Sequence, residues 1–320
     1  MKAINFSLLA LAFLTPCAHA DDATLKAIFS PLPSVADSTE NKVTPEKVAL
    51  GKKLYLDKRL SKDNDISCNS CHRLDSFGVD NEPTSPGHKG QRGGRNSPSS
   101  FNAALHATQF WDGRAETVEK QALGPILNPG EMAMPSEQAV IDRLTADKAL
   151  VAEFAKAFPG EKNPVTYTNV GKAIGAFERT LITPSRFDDY LKGDSSALTA
   201  EEKKGAELFV QTGCVACHNG ATFGGNSFQK LGVVKPYPSK DLGRYEVTKN
   251  EADKLMFKVP SLRNVAKTGP YFHDGSVKTL DQAVSLMAEH QLGRQLSAEQ
   301  VQEIVTFLNS LTAKDTSKIM

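Results

Sequence analysis

The chain has 320 residues, with 38 lysines and arginines against 37 aspartates and glutamates and a formal net charge of +1. That balance offers no basis for binding nucleic acid or an acidic membrane surface, and no stretch reaches the roughly 18 uninterrupted apolar residues of a membrane helix. The length suits two ordinary domains, each with enough chain to bury a core.

In chain order, the first feature is Lys2 followed by an apolar run from Phe6 to Leu14 and then Ala18-His19-Ala20. A basic start, a short apolar core and a small-x-small site are the pattern of a secretory signal. Residues 1–20 are therefore expected to be removed, leaving a mature protein that begins near Asp21 and lies in the periplasm. Cys17 suggests lipid modification, but Pro16 before it fits such a processing site badly. Of five cysteines, Cys17 leaves with the signal; the others are Cys68, Cys71, Cys214 and Cys217.

These four fall in Cys68-Asn69-Ser70-Cys71-His72 and Cys214-Val215-Ala216-Cys217-His218, two copies of the C-x-x-C-H signature of covalent c-type haem. The spacing is mechanical: two thiols reach two vinyl groups on one porphyrin edge, and the next residue places an imidazole under the iron. A redox dithiol has no need of a histidine after each second cysteine. A four-cysteine zinc site would join two segments far apart in the chain and leave both histidines unexplained.

Around these motifs the chain repeats itself. A helix capped by Thr44 carries Gly51-Lys52-Lys53-Leu54-Tyr55, and one capped by Thr199 carries Gly205-Ala206-Glu207-Leu208-Phe209. Pro98-Ser99 and Asn102 recur as Pro260-Ser261 and Asn264, Phe110-Trp111-Asp112-Gly113 as Phe272-His273-Asp274-Gly275, and Thr117 as Thr279, all by one constant shift along the chain. The haem motifs are related by a smaller shift, so the second half has a longer loop between His218 and Pro260. The spacing Val170, Ile174, Phe177, Leu181 predicts a helix from Asn169 to Leu181, ended by Thr183-Pro184. A last helix is predicted from Ser297 to Leu311, capped by Ser297 with Gln300 at the third helical position. Strand signals are sparse. The pattern is an all-α protein of two cytochrome c-like domains related by duplication: 21–183 and 184–320, each with one haem.

The halves differ where a second iron ligand would sit. The first has His88 in Gly87-His88-Lys89-Gly90-Gln91-Arg92-Gly93-Gly94-Arg95, a Gly-rich segment expected to be mobile; a surface histidine is ordinarily just solvated, but here it reads as a removable ligand. The second offers Met256 and Met287, with His290 as a weaker competitor. A methionine is ordinarily core packing, yet in a c-type domain a downstream methionine is the usual second ligand and raises the potential. Glu131, in Asn128-Pro129-Gly130-Glu131, is by default a solvated carboxylate; above an open haem it would suit acid-base work on peroxide. Trp111, the only tryptophan, stands where the second half has His273.

These motifs, with Phe-Trp-Asp-Gly-Arg, Gly-Glu-Met and Phe-His-Asp-Gly followed by Met-x-x-x-Gln-Leu-Gly, resemble the bacterial dihaem cytochrome c peroxidases over nearly the whole mature chain. The resemblance implies a low-potential peroxidatic haem on His72 and His88, and a high-potential electron-receiving haem on His218 and Met287. It makes Glu131 the acid-base catalyst, Gln121 a polar group of the distal pocket and Trp111 an aromatic between the haems. It also implies a calcium ion touching the Asn96 side chain and the carbonyls of Thr268 and Pro270. The implied substrate is hydrogen peroxide, the implied donor a small periplasmic cytochrome c or cupredoxin, and the implied assembly a homodimer. A pure electron carrier would need neither the His88 loop nor Glu131. A related class that oxidises tryptophans of a partner protein has Tyr in place of the Met ligand, so Met287 points away from it.

Overall fold

The computed structural model describes residues 22–317 and 319; the expected signal segment, residues 1–20, lies outside them. The protein is mostly helical. The first half holds α1 (Asp22–Ile28), α2 (Pro45–Leu56), α3 (Cys68–Cys71), α4 (Val118–Leu127), α5 (Glu137–Thr145), α6 (Lys148–Ala157) and α7 (Tyr167–Glu178). The second holds α8 (Arg186–Leu191), α9 (Ala200–Thr212), α10 (Tyr245–Thr248), α11 (Leu280–Leu292) and α12 (Ala298–Asn309). The longer loop of the second half carries a two-stranded antiparallel ribbon, β1 (Phe228–Lys230) with β2 (Met256–Lys258), paired Gln229 to Phe257. Three-residue strands have too little alternation to stand out in sequence. No helix among the described residues is long and apolar enough to cross a membrane.

The caps explain where the main helices begin. Thr44 accepts from the Lys47 amide and Thr199 from Glu202, whose carboxylate in turn accepts from the Thr199 amide. Ser297 and Gln300 close the same reciprocal box on α12. Such caps satisfy amides that have no partner inside the helix. The helix expected at 169–181 starts two residues earlier, capped by Thr166, and ends at Glu178; α12 likewise stops at Asn309, before Leu311.

Each half is built on one close helix crossing. In the first, α2 meets α7, and a Cβ on Gly51 would lie 1.9 Å from the Ala173 carbonyl oxygen; in the second, α9 meets α12, and a Cβ on Gly205 would lie 2.0 Å from the Glu303 oxygen. The repeated glycine is thus the contact point of the duplicated crossing. Gly51→Ala and Gly205→Ala should each destabilise by about 1–3 kcal/mol through overpacking, despite a helix-propensity gain of about 1 kcal/mol. Denaturant midpoints of the haem-loaded variants check this.

The residues related by the constant shift adopt matching conformations. Asn102 and Asn264 both lie at positive φ, 61° and 62°, as do Phe110 and Phe272, at 65° and 69°. The equivalent asparagines donate to the same hydroxyl, that of Thr183, at 2.8 and 2.9 Å. Trp111 and His273, equivalent by the same shift, meet edge to face with centroids 6.5 Å apart.

Two apolar cores result, one around Leu54, Tyr55, Phe154 and Ile174, the other around Phe187, Phe209, Phe223 and Phe307. The chain termini cross between them. The division at 21–183 puts α1 with the first half, but Leu25 and Phe29 pack into the second core, where the Phe29 ring stacks on Phe223 at 4.1 Å. Ile319 packs into the first.

Beneath the second core, Arg263 and Asp188 form an ion pair with no exposed side-chain surface. Burial alone would raise the Asp188 pKa; Arg263 and the amides of Leu32 and Ser185 outweigh it and hold the carboxyl below its ordinary value. A depressed folded-state pKa contributes stability that is full above the unfolded value, about 3.9, and is lost as pH falls through the folded value. Asp188→Asn leaves Arg263 buried without its counter-charge, so it should cost about 3–5 kcal/mol. Denaturation followed from pH 7 down to pH 3 should show the wild type losing this increment with acid and the variant lacking it throughout.

Candidate functional site

The two C-x-x-C-H segments are built alike. Cys68 to Cys71 is a single helical turn, α3, and Cys214 to Ala216 a 3₁₀ turn following α9, so both thiols of each pair project from one short turn. All four cysteines are free. Burial pushes the Cys71 thiol up to about 11 and Cys214 up to about 12, and raises Cys68 and Cys217 as well. That direction is opposite to the depressed thiols of redox dithiols.

The histidine after each pair is fixed by a backbone carbonyl. His72 Nδ1 lies 3.0 Å from the Pro98 oxygen and His218 Nδ1 3.0 Å from the Phe223 oxygen. A carbonyl only accepts, so Nδ1 carries the proton and Nε2 keeps the lone pair that a metal takes. Burial lowers both imidazole pKa values, favouring the neutral ligand form. The repeated aromatic of the preceding helix supports each one: the Tyr55 hydroxyl donates to the His72 carbonyl at 2.6 Å, and the Phe209 ring lies 6.5 Å from that of His218. The thiol pair and the histidine geometry fit covalent haem in both places, and the second motif also adjoins a largely apolar cavity.

The second motif opens on a cavity of about 260 Å³ whose walls include Cys214, Cys217, His218, Trp111 and Met287. Of the three candidate second ligands, Met287 on α11 shares this cavity with His218. Met256, which starts β2, and His290, further along α11, both lie outside its walls. Trp111 donates from Nε1 to the Asn96 oxygen at 2.9 Å. Asn96, Thr268 and Pro270, the three expected calcium contacts, are all among the residues lining the same cavity. The Asn96 amide nitrogen donates to the carbonyls of Glu82 and Pro83, leaving Oδ1 as the atom a hard cation would take.

By the first motif lies a separate cavity of about 250 Å³, walled by Phe110, Arg114, Lys120, Gly124, Asn128 and Glu131. Burial raises the Glu131 pKa, against the opposing charge of Arg114, whose guanidinium sits 3.5 Å above the Phe110 ring. The Glu131 charge is also felt at the Cys71 thiol. Gln121 is on α4, one turn before Gly124 and Pro125, and is half-buried outside the cavity wall.

His88 is 6% exposed, while Lys89 to Gly94 around it are open to solvent. Its ring faces Asp63, with Nδ1 3.5 Å from the carboxylate and no hydrogen-bond partner. Among the described residues no hydrogen bond, ion pair or ring contact joins it to His72. Its amide donates to the Glu131 carbonyl at 2.7 Å, and a Cβ on Gly87 would lie 1.9 Å from the Gly130 oxygen. The His88 and Glu131 segments are therefore one packed unit.

Arg114 was not singled out as a site residue by the sequence, yet a signal exists: the constant shift between the halves pairs it with Ser276, an asymmetry between otherwise matched segments. Lys258 and His106, which also line the larger cavity, carried no motif of their own.

The di-haem cytochrome c peroxidase family model matches residues 45–196 and the cytochrome c model residues 202–312. Among curated proteins, the chain is 46% identical to cytochrome c551 peroxidase of Pseudomonas aeruginosa, over 96% of this chain and 91% of that one. It is 49% identical to cytochrome c551 peroxidase of Nitrosomonas europaea, over 84% and 82%. Methylamine utilization protein MauG of Methylorubrum extorquens is 35% identical, over 92% and 86%. Among solved structures, a MauG-like protein associated with microbial copper homeostasis superposes with a TM-score of 0.79 at 28% identity, covering 90% of this chain and 95% of that one.

Proposed function

The chain belongs to the dihaem cytochrome c peroxidase family, and from that premise we propose that it reduces hydrogen peroxide to two waters in the periplasm, after removal of residues 1–20. Two electrons come singly from a small cytochrome c or cupredoxin, so that H₂O₂, two protons and two electrons balance two waters. The observation that carries the reading is the unlike surroundings of the two haem motifs: a buried carboxylate beside one and a thioether in the cavity of the other.

In this reading Cys68, Cys71 and His72 hold one haem in domain 21–183, and Cys214, Cys217, His218 and Met287 hold the other in domain 184–320. When bound, the haems supply one-electron transfer and the reduction of the O–O bond. Glu131 takes a proton from one peroxide oxygen and delivers it to the other, a role that its raised pKa suits. The charge of Arg114 and a hydrogen bond from Asn128 restrain that rise, and Gln121 is the polar neighbour expected from α4. His88 would be the removable ligand of the first haem; the exposed residues 89–94 can shift without disturbing a core, and the hydrogen bond from the His88 amide to the Glu131 carbonyl would link release of His88 to placement of the base. Trp111 would serve as an aromatic between the two haems, Asn96, Thr268 and Pro270 would hold calcium, and the working assembly would be a homodimer.

The test is a steady-state assay of the haem-loaded protein with a reduced small cytochrome c and, separately, a reduced cupredoxin. Two donor molecules should be oxidised per peroxide consumed. Peroxide loss without donor oxidation, or with oxygen release, contradicts the proposal.

A further inference from the structure

The duplicated helix crossings match the surroundings of the two haem motifs residue by residue. Ala173 and Phe177 stand over Gly51 as Glu303 and Phe307 stand over Gly205, so Glu178 at the end of α7 takes the place of Leu308 on α12. Leu308 lines the cavity of His218, together with Phe209 and Leu262. The first-half counterparts of those two are Tyr55, one turn after Gly51 as Phe209 is after Gly205, and Ser100, which the constant shift pairs with Leu262. Three apolar wall positions of the second motif are thus Tyr55, Ser100 and Glu178 beside the first. Two of the three are satisfied: Tyr55 donates to the His72 carbonyl at 2.6 Å and meets Ser100 Oγ at 3.0 Å.

The carboxyl of Glu178 is not. The residue is 6% exposed, and its Oε2 is shut off from solvent without a hydrogen-bond partner. The neighbouring guanidinium, Arg179, is engaged by Glu119 at 2.7 and 3.0 Å, and Glu119 also accepts from Asn41 at 2.9 Å. Of the elements around it, α4 brings Glu119, while α2 and α3 bring Tyr55 and Cys68, which both feel the Glu178 charge; Glu137 of α5 acts on Tyr167 at the far end of α7. Burial and the Glu119 charge push the Glu178 carboxyl up to about 8, against Arg179. A buried carboxylate without its own counter-charge is costly, and the protonated acid is much less so. No hydrogen bond or ion pair joins Glu178 to His72 among the described residues, so its influence there is electrostatic.

We propose that Glu178 is a proton-binding site tied to the redox state of the His72 haem: a proton joins its carboxylate when an electron reaches that haem and leaves when the electron is passed on. This rests on the haem assignment above. The electron comes from the small redox protein that serves as donor and the proton from water, and the O–H bond of the acid is the only bond made. An anion beside the haem favours the ferric state, whose iron carries one positive charge more than the ferrous. Reduction therefore raises the affinity of the site for a proton, and protonation makes reduction easier. Leu308 leaves the second haem without such a site, so the two haems should answer differently to pH.

The experiment uses the haem-loaded full chain, with Glu178→Gln as a neutral mimic of the protonated acid. A pyridine haemochrome value of one haem per chain would overturn the haem assignment itself, separately from Glu178. In potentiometric titrations at successive pH values, the reduction equilibrium of the wild-type His72 haem should shift tenfold towards ferric per pH unit, about 59 mV for one electron, between the carboxyl pKa values of the ferric and ferrous states. Glu178→Gln should lose that slope and keep the low-pH value of the wild type, Glu131→Gln should retain the slope, and the Met-ligated haem should be unmoved by Glu178→Gln. A slope that is absent from the wild type, survives in Glu178→Gln or is lost in Glu131→Gln instead overturns the proposal. If Glu178→Gln does not fold, Glu178→Leu, which installs the residue of the second half, replaces it. Redox-difference infrared spectra of the wild type read the same event: reduction should produce the C=O band of a protonated carboxyl, and its absence overturns the proposal.

Discussion

Replacing Glu131 with glutamine should lower peroxide turnover by about 10²–10⁴-fold, the contribution that general acid-base catalysis commonly makes. Glutamine has nearly the same shape and cannot accept and return the proton. The carboxylate lies in the cavity by the first haem motif, raised by burial and opposed by Arg114. The links of this segment to its surroundings are backbone contacts, from the His88 amide to the Glu131 carbonyl and from Gly87 to Gly130. The substitution leaves them intact, so haem content, both potentials and release of His88 should survive it. Full activity in Glu131→Gln removes Glu131 from the mechanism; loss of haem or failure to open the iron makes it a structural residue.

The second large effect is on electron supply. Met287→His should keep six ligands on the second iron while lowering its potential by roughly 200 mV, because a neutral thioether favours the ferrous state more than imidazole does and axial ligands act over hundreds of millivolts. Met287→Leu should abolish the Met-ligated spectrum and Met256→Leu should not, since Met287 shares a cavity with His218 and Met256 lies outside its walls. The reverse result would reassign the ligand.

Much of this organisation was legible in the residues because it depends on rigid local chemistry. The C-x-x-C-H spacing has one mechanical use, the threonine caps act within three residues, and a repeated glycine marks a crossing that no other residue fits. The constant shift between the halves paired Phe110 with Phe272 and Trp111 with His273; that the first pair shares a positive φ and the second pair meets edge to face came only from the structure. What was hidden depends on segments distant in sequence. The packing of α1 into the second core comes from Phe29 finding Phe223, a contact with no local pattern. The ribbon of β1 and β2 is too short to show a period. Arg114 owes its place to the Phe110 ring and the Glu131 loop, and Lys258 to His106 and Thr108, which lie in the other half of the chain. The His88 segment was expected to be loose; its tip is exposed, but Gly87 and His88 themselves are packed against the Glu131 loop, because the glycine permits a backbone approach there.

The central claim is that one duplicated fold holds two unlike haems, one for peroxide and one for the donor. A potentiometric titration of the haem-loaded protein, followed in the visible spectrum, tests it most directly. Two transitions separated by at least roughly 200 mV are expected, the Met-ligated spectrum belonging to the higher one. Two haems titrating together at one potential would contradict it.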